Sequence, residues 1–289
     1  MHRGLGMSSE YMEKLYEIYP WPDNPYTSEG RARYVETLED MEKIVSHQWF
    51  RKRLENKKQV SIIEFCSGYG VGGVGLARVL CEKYGLETSI TLIDLRRKPL
   101  EVARRFSREE LGYEAKTITH DVTEKIDLGR KYDIALLWGH STPHFSPWDY
   151  IKLLANIHRS LKNNGIYFYD ESDRTYTILV RTGYQYVLPE LGGGKTVLTM
   201  HKKVDHVTGY IHRLAYNLDD QKRVDMKVYF WGLAESMAFT WIFFENIDFI
   251  PLKTNYVGVV IAIDPRTTVN VEDYLDKKPE VLRKIRSTP

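Results

Sequence analysis

The stretch Ile62-Ile63-Glu64-Phe65-Cys66-Ser67-Gly68-Tyr69-Gly70-Val71-Gly72-Gly73 joins an apolar run to a cluster of glycines that opens a helical pattern. Glycine at such a turn lets backbone approach a ligand with no Cβ in the way. Gly68, Gly70 and Gly73 satisfy the G-x-G-x-x-G spacing of dinucleotide-binding turns, although the same turn also forms without any ligand. Glu64 separates the readings. A dinucleotide sets its anionic pyrophosphate at the helix N-terminus, and an acid four residues before Gly68 repels it. A ligand carrying positive charge is favoured by that carboxylate, whose bland alternative is a backbone-bonding or helix-capping role.

In this pattern the chain resembles the class I S-adenosylmethionine-dependent methyltransferases, whose glycine motif is written D/E-x-G-x-G-x-G. Glu64 is the acid, Gly68 and Gly70 are the second and third glycines, and Cys66 stands at the first, a departure from the family. The family's cofactor carries a sulfonium and an ammonium and no phosphate, in keeping with Glu64. The resemblance implies that Asp94, closing Thr91-Leu92-Ile93-Asp94, accepts the ribose hydroxyls, a role that dehydrogenases share. It implies that Asp121 receives the adenine amino group and that Val122 packs on the ring. Leu95, Tyr69, Trp138 and Gly139 complete the implied cofactor set. Leu161-Lys162-Asn163-Asn164-Gly165-Ile166-Tyr167 resembles the family's L-K-P-G-G segment, with Asn-Asn still suited to a turn. The resemblance covers residues 60–173 well and 232–264 loosely.

Methyl transfer is a direct displacement, so the protein mainly positions the acceptor and excludes water. A base is needed only where the acceptor must lose a proton early. Leu137-Trp138-Gly139-His140-Ser141-Thr142-Pro143-His144-Phe145 follows a strand at the end where open α/β sheets bind ligands. His140 or His144 is the candidate base, since histidine titrates near neutrality. Asp170 and Glu171 end the next strand and can hold a cationic acceptor. Tyr11, Tyr16, Tyr19 and Trp21 put aromatic faces around a Pro-rich loop, where they can pack a lid or hold an amine. Tyr210 and Arg213 belong to a polar aromatic wall further on. No Asn-Pro-Pro-Tyr-like tetrapeptide follows strand four, no cysteine lies in the loops after strands four and five, and no metal-ligand cluster is evident. These absences argue against the exocyclic-amine DNA type, the pyrimidine-attacking type and a metal-dependent catechol type.

The elements that must position these groups follow from pattern. Residues 1–58 form an N-terminal helical or lid region, with helices over 8–19 and about 29–54. Residues 59–173 alternate strands (60–65, 90–94, 116–119, 134–138, 166–170) with helices (to about 84, 99–111, 147–161), which predicts a doubly wound parallel sheet. Asn163-Asn164-Gly165 reads as a helix stop. Residues 174–231 break the rhythm with strands over 196–204, 210–218 and 224–231, a three-stranded antiparallel meander on the acceptor side. Residues 232–264 return to a helix and a closing strand pair, and 265–289 form a charged, partly helical tail. The fold class is therefore α/β: a Rossmann-like, seven-stranded, mostly parallel sheet with helices on both faces, a β-meander insertion and an N-terminal helical region.

The bulk numbers limit the partners. A net charge of +2 over 289 residues is too weak a bias to argue for nucleic acid. Arg51-Lys52-Arg53, Arg96-Arg97-Lys98 and Lys202-Lys203 make an RNA face only if they converge. Cys66 and Cys81 are too few for a disulfide framework, which fits a reducing compartment. No signal-length or membrane-spanning apolar run is present, so the expectation is a cytoplasmic protein. The leading reading is a methyltransferase using S-adenosylmethionine and no metal, acting on nitrogen or oxygen of a small molecule. An RNA or protein acceptor, an NAD- or flavin-dependent oxidoreductase and a non-catalytic binding module are the alternatives. Oligomeric state does not follow from the sequence.

Overall fold

The computed structural model describes residues 8–19, 21–192 and 194–284. Pro20 and Gly193, which the sequence places in loops, and the segments 1–7 and 285–289 lie outside the described residues. Three helices come first: α1 (Ser9–Ile18), α2 (Ser28–Val45) and α3 (Gln48–Leu54). The single helix expected over 29–54 is thus two. The chain breaks at Ser46-His47, where the His47 ring turns back to accept the Trp49 N–H at 3.3 Å and caps α3.

The core alternates β1 (Gln59–Phe65), α4 (Val71–Tyr84), β2 (Glu87–Asp94), α5 (Arg97–Leu111), β3 (Lys116–Thr119), β4 (Tyr132–Leu137), α6 (Pro147–Ser160) and β5 (Leu161–Ser172). β1 and β4 are buried on both faces, which is why they read as continuous apolar runs rather than alternating ones. α5 buries Leu100, Ala103 and Phe106 and closes its outer face with Arg97–Glu101 and Arg105–Glu109 pairs. Ser146 caps α6, and Pro147 occupies its first turn. α6 stops at Ser160, because Leu161 already pairs with Tyr132. Asn163-Asn164-Gly165 is therefore no helix stop; it bulges out within β5 between the pairs Tyr132–Leu161 and Ile134–Ile166.

A π-helical turn (Thr175–Arg181) leads into β6 (Val187–Gly192), β7 (Lys195–Val204), β8 (Ile211–Asn217) and β9 (Arg223–Val228). The expected three-stranded meander is a four-stranded sheet in that order. β6 escaped the sequence reading because Pro189 argues against a strand; on an edge strand its missing N–H costs nothing. α7 (Leu233–Phe243), β10 (Phe244–Thr254) and β11 (Val257–Pro265) return to the core, and α8 (Glu272–Asp276) and α9 (Glu280–Lys284) form the tail. The main sheet has seven strands in the order β10-β11-β5-β4-β1-β2-β3, with β11 antiparallel to both neighbours. The carboxyl ends of β1, β2, β4 and β5 share one edge, and the site lies there. Met12, Leu15 and Ile18 of α1 share an apolar cluster with Val197, Ala215 and Met226 of the smaller sheet, so α1 and that sheet together cover the edge.

The opposite edge is tied by Asp133, 7% exposed at the start of β4. It accepts from Ser61 N (2.9 Å), Ser61 Oγ (2.7 Å), Lys162 Nζ (2.9 Å) and Lys57. Burial by itself raises a carboxyl pKa, but the Lys57 ammonium and the Ser61 and Lys162 donors outweigh it and hold Asp133 well below the usual carboxylate range. A depressed acid stabilises the fold above its unfolded pKa, and this contribution is lost as pH falls towards the folded value. Asp133→Ala is expected to lower unfolding free energy by about 3 kcal/mol at neutral pH. In urea titrations its gap from wild type should narrow below about pH 4; a gap independent of pH would contradict the assignment.

Candidate cofactor cleft and active site

The glycine loop is built on left-handed backbone. Cys66, Gly68 and Gly70 have φ of +54°, +51° and +76°, and Gly70 caps α4. Cys66 occupies the family's first glycine position in a glycine-like conformation, which costs a residue with a Cβ about 1–2 kcal/mol. A Cβ on Gly72 would lie 2.5 Å from Glu64 Oε1 and from the Trp138 side chain, so this turn admits glycine alone. Glu64 is 1% exposed, and its Oε2 accepts the Gly73 N–H at 2.8 Å. It thus braces the first turn of α4 while its other oxygen faces the cleft. Burial pushes its pKa up to about 8, with the Gly73 N–H and the Arg33 charge opposing. A cationic ligand at this wall would favour the ionised form.

Asp94 is 5% exposed at the end of β2. Its Oδ2 accepts the Gly68 N–H at 2.7 Å and its Oδ1 accepts the Arg96 N–H at 2.8 Å, with Arg96 Nε at 3.4 Å. The Arg96 guanidinium lies 3.5 Å over the Tyr16 ring of α1 and 3.6 Å from Asp23. It lines two neighbouring spaces. A narrow pocket of about 70 Å³ is lined by Asp94, Leu95, Asp121, Val122, Phe145 and Tyr210. A larger cleft of about 730 Å³ is lined by Glu64, the glycine loop, Trp138, Gly139, His140 and Asp170. In the narrow pocket Asp121 Oδ1 accepts from Thr123 N and Oγ1, which aims the acid and leaves Oδ2 for a ligand.

The loop after β4 is held from β5. The Asp170 carboxylate accepts the N–H groups of Gly139 (2.9 Å) and His140 (3.0 Å). Gly139 and His140 have φ of +103° and +55°, so the acid stabilises a turn that the chain resists. His140 Nδ1 lies 3.6 Å from Asp170 Oδ2, and its side chain is 46% exposed to the cleft. His144 lines both spaces beside Tyr16 and Trp21, and its Nδ1 is buried without a partner among the described residues. Burial, helped by the Arg96 and Arg174 charges, lowers its pKa to about 4, so it is a neutral imidazole at physiological pH.

Of the aromatic and polar groups expected on the substrate side, Trp21 and Asp170 line the larger cleft and Tyr210 the narrow pocket. Tyr11, Tyr19, Glu171 and Arg213 line neither. Tyr11 accepts the Lys227 N–H, and Tyr19 donates to Glu190 at 2.7 Å, both inside the α1–meander packing. Glu171 is fully buried beneath the loop against Arg174. Arg213 is spent on Thr199, Tyr184 and the Gln185 carbonyl. Conversely, Arg33 of α2 was not foreseen. Its guanidinium reaches over Gly139, within 2.6 Å of where a Cβ there would stand, and among the described residues donates only to the Pro22 carbonyl at 3.4 Å. No motif marks it; the only sequence signal is a basic residue on the face of α2 shared with Thr37.

These residues fit S-adenosylmethionine. There are acids at the carboxyl ends of β1 and β2 for cationic and hydroxyl groups, an arginine for a carboxylate, and glycines where a Cβ would fill the cradle. Among the described residues no group of three His, Cys, Asp or Glu is placed to hold a metal ion. Residues 62–165 match the family model described as a methyltransferase domain. No curated protein matches the sequence. Among solved structures, a S-adenosylmethionine-dependent methyltransferase from Clostridium acetobutylicum is 12% identical, covering 88% of this chain and 98% of its own, with a TM-score of 0.57. The sugar N-methyltransferase from Streptoalloteichus is 14% identical (92% and 96% covered, TM-score 0.52). An amino pentose methyltransferase from Micromonospora echinaspora, solved with S-adenosylmethionine bound, is 12% identical (91% and 100% covered, TM-score 0.51). At such identities the structural likenesses establish the fold.

Residues 62–165 thus carry a methyltransferase domain, and the chain as a whole has the fold of the S-adenosylmethionine-dependent methyltransferases it resembles. S-adenosylmethionine is the cofactor that a methyltransferase domain in this fold implies, and the acids of the site suit it better than a dinucleotide. Among the described residues no helix is long and apolar enough to cross a membrane.

Proposed function

We propose that the enzyme methylates a nitrogen or oxygen of a small molecule that enters between Trp21 and the loop after β4. The observation that carries this reading is the roof over the larger cleft. Tyr16 of α1, Trp21, and Met226 and Val228 of the smaller sheet cover the catalytic edge, leaving a volume in the range of small-molecule sites. The sugar-directed enzymes among the structural neighbours support it by analogy alone. The RNA alternative is disfavoured by the pairing of its basic clusters: Arg53 with Asp264, Arg97 with Glu101, Lys202 with Asp225.

When bound, S-adenosylmethionine supplies a methyl group already activated on a sulfonium. In our reading Asp121 and Val122 hold the adenine, Asp94 a ribose hydroxyl, and Arg33 with the Gly139 backbone the amino-acid end. Asp170 fixes the Gly139-His140 turn and faces His140 Nδ1. With the Nδ1–H turned towards Asp170, His140 Nε2 is the atom free to take the acceptor's proton. Trp21 and Tyr16 exclude water from above.

The test is a methyl-transfer screen with labelled S-adenosylmethionine against amino sugars, other amines and phenols, alongside total RNA and protein. Label on a small molecule is the expected outcome. Label confined to RNA or protein would refute the proposed acceptor class.

A further inference from the structure

Three carboxyl groups stand at the cofactor edge of the sheet, and the chain provides for them unequally. Asp94 accepts the backbone N–H groups of Gly68 and Arg96, with Arg96 Nε behind them. Asp170 accepts those of Gly139 and His140. Donors of this kind satisfy a charged carboxylate. Glu64 lies between the two, since β1 stands between β5 and β2 in the sheet. It is 1% exposed and, among the described residues, accepts one N–H, that of Gly73 at 2.8 Å, and has no ion-pair partner. Gly72 and Gly73 of α4 and the Trp138 side chain of β4 close around it, with the neutral Cys66 thiol two residues on. The Arg33 charge from α2 favours its ionisation, and the Asp94 and Asp170 charges from β2 and β5 oppose it. Loss of water dominates and places its pKa at about 8, so Glu64 is the acid of the three that keeps a proton at neutral pH.

We infer that Glu64 is the residue that distinguishes the charged cofactor from its demethylated product, by exchanging a proton with solvent. The inference rests on the reading above, in which the amino-acid end and the sulfur lie in the larger cleft. S-adenosylmethionine and S-adenosylhomocysteine share adenine, ribose and amino-acid end, so whatever Asp121, Asp94 and Arg33 contribute cancels between them. They differ by one methyl group and one positive charge. On transfer the C–S bonding pair stays on sulfur, which becomes a neutral thioether while the methyl joins the acceptor. Glu64 lines that cleft, and Oε1 is the oxygen not taken by Gly73. In a site so poor in water a cation at this wall draws the proton off the carboxyl, and a thioether does not. Glu64 therefore gives a proton to water when the sulfonium enters and takes one back after transfer. The sign follows by linkage. The ionised fraction of Glu64 grows as pH rises through its pKa, so cofactor affinity rises with it and product affinity does not.

Calorimetric titration of the full chain with each ligand, at about pH 6 and about pH 9, reads the effect without any acceptor. The ratio of product Kd to cofactor Kd should rise by about tenfold or more between them. The ligands' own α-amino groups titrate in the same range. Glu64→Gln is therefore the reference: it keeps an oxygen for the Gly73 N–H, cannot ionise, and leaves every other titrating group in place. Its ratio should change several-fold less than that of wild type. Infrared difference spectra of wild type need no variant. At neutral pH S-adenosylmethionine should remove a protonated-carboxyl band that S-adenosylhomocysteine leaves in place. Equal slopes in the two proteins, or a band that both ligands treat alike, would overturn the inference while the cofactor placement stands. Binding of neither ligand would overturn both.

Discussion

Asp94→Ala is expected to weaken S-adenosylmethionine binding by about 1.5–3 kcal/mol, roughly 10- to 150-fold in Kd. The carboxylate does two things at once. It accepts the Gly68 N–H and so shapes the glycine turn, and it offers its remaining lone pair to the ligand. Arg96 already occupies Oδ1 through its backbone N–H and Nε, so a ribose diol competes with that guanidinium for the acid. Asp94→Asn keeps one acceptor oxygen and should fall between wild type and alanine. Calorimetric titration with the cofactor reads both variants. An unchanged Kd in Asp94→Ala would remove Asp94 from the ribose site and leave it a loop brace.

His140→Asn is expected to lower kcat by about a hundred- to ten-thousandfold while leaving cofactor affinity within about twofold. Asparagine is the informative replacement. It tolerates the left-handed backbone that His140 adopts at φ +55° and keeps the N–H that Asp170 accepts, yet it cannot take a proton. Single-turnover rates with saturating cofactor separate this from a positional defect, which would raise KM for the acceptor as well. Turnover equal to wild type would mean that orientation alone suffices and that the acceptor arrives already deprotonated. His144 is the poorer base, because burial beside Arg96 and Arg174 lowers its pKa to about 4; it serves better as a neutral hydrogen-bonding wall.

What the sequence determined by itself is what depends on neighbours in the chain. The glycine turn is local: left-handed φ at Gly68 and Gly70 and the absence of a Cβ at Gly72 are demands of a few consecutive residues. Glu64, four residues before Gly68, is equally local; that Asp94 and Asp121 stand near the turn was what the resemblance to the family implied, and β1 to β5 followed from apolar periodicity. Tertiary structure decided everything that depends on elements distant in the chain. Arg33 reaches Gly139 across more than a hundred residues, and nothing in α2 marks it as more than one charge among many. Arg96 looked like surface charge in a basic run, yet it is buried because Tyr16 and Asp23 fold over it from the N-terminal region. Arg213 and Glu171 looked like cleft residues and are consumed by partners that only packing supplies. β6 is a strand because β7 pairs with it, against its own proline. Local conformational rules act within a turn or a strand and are written there; the burial of a charge is set by whichever surface closes on it.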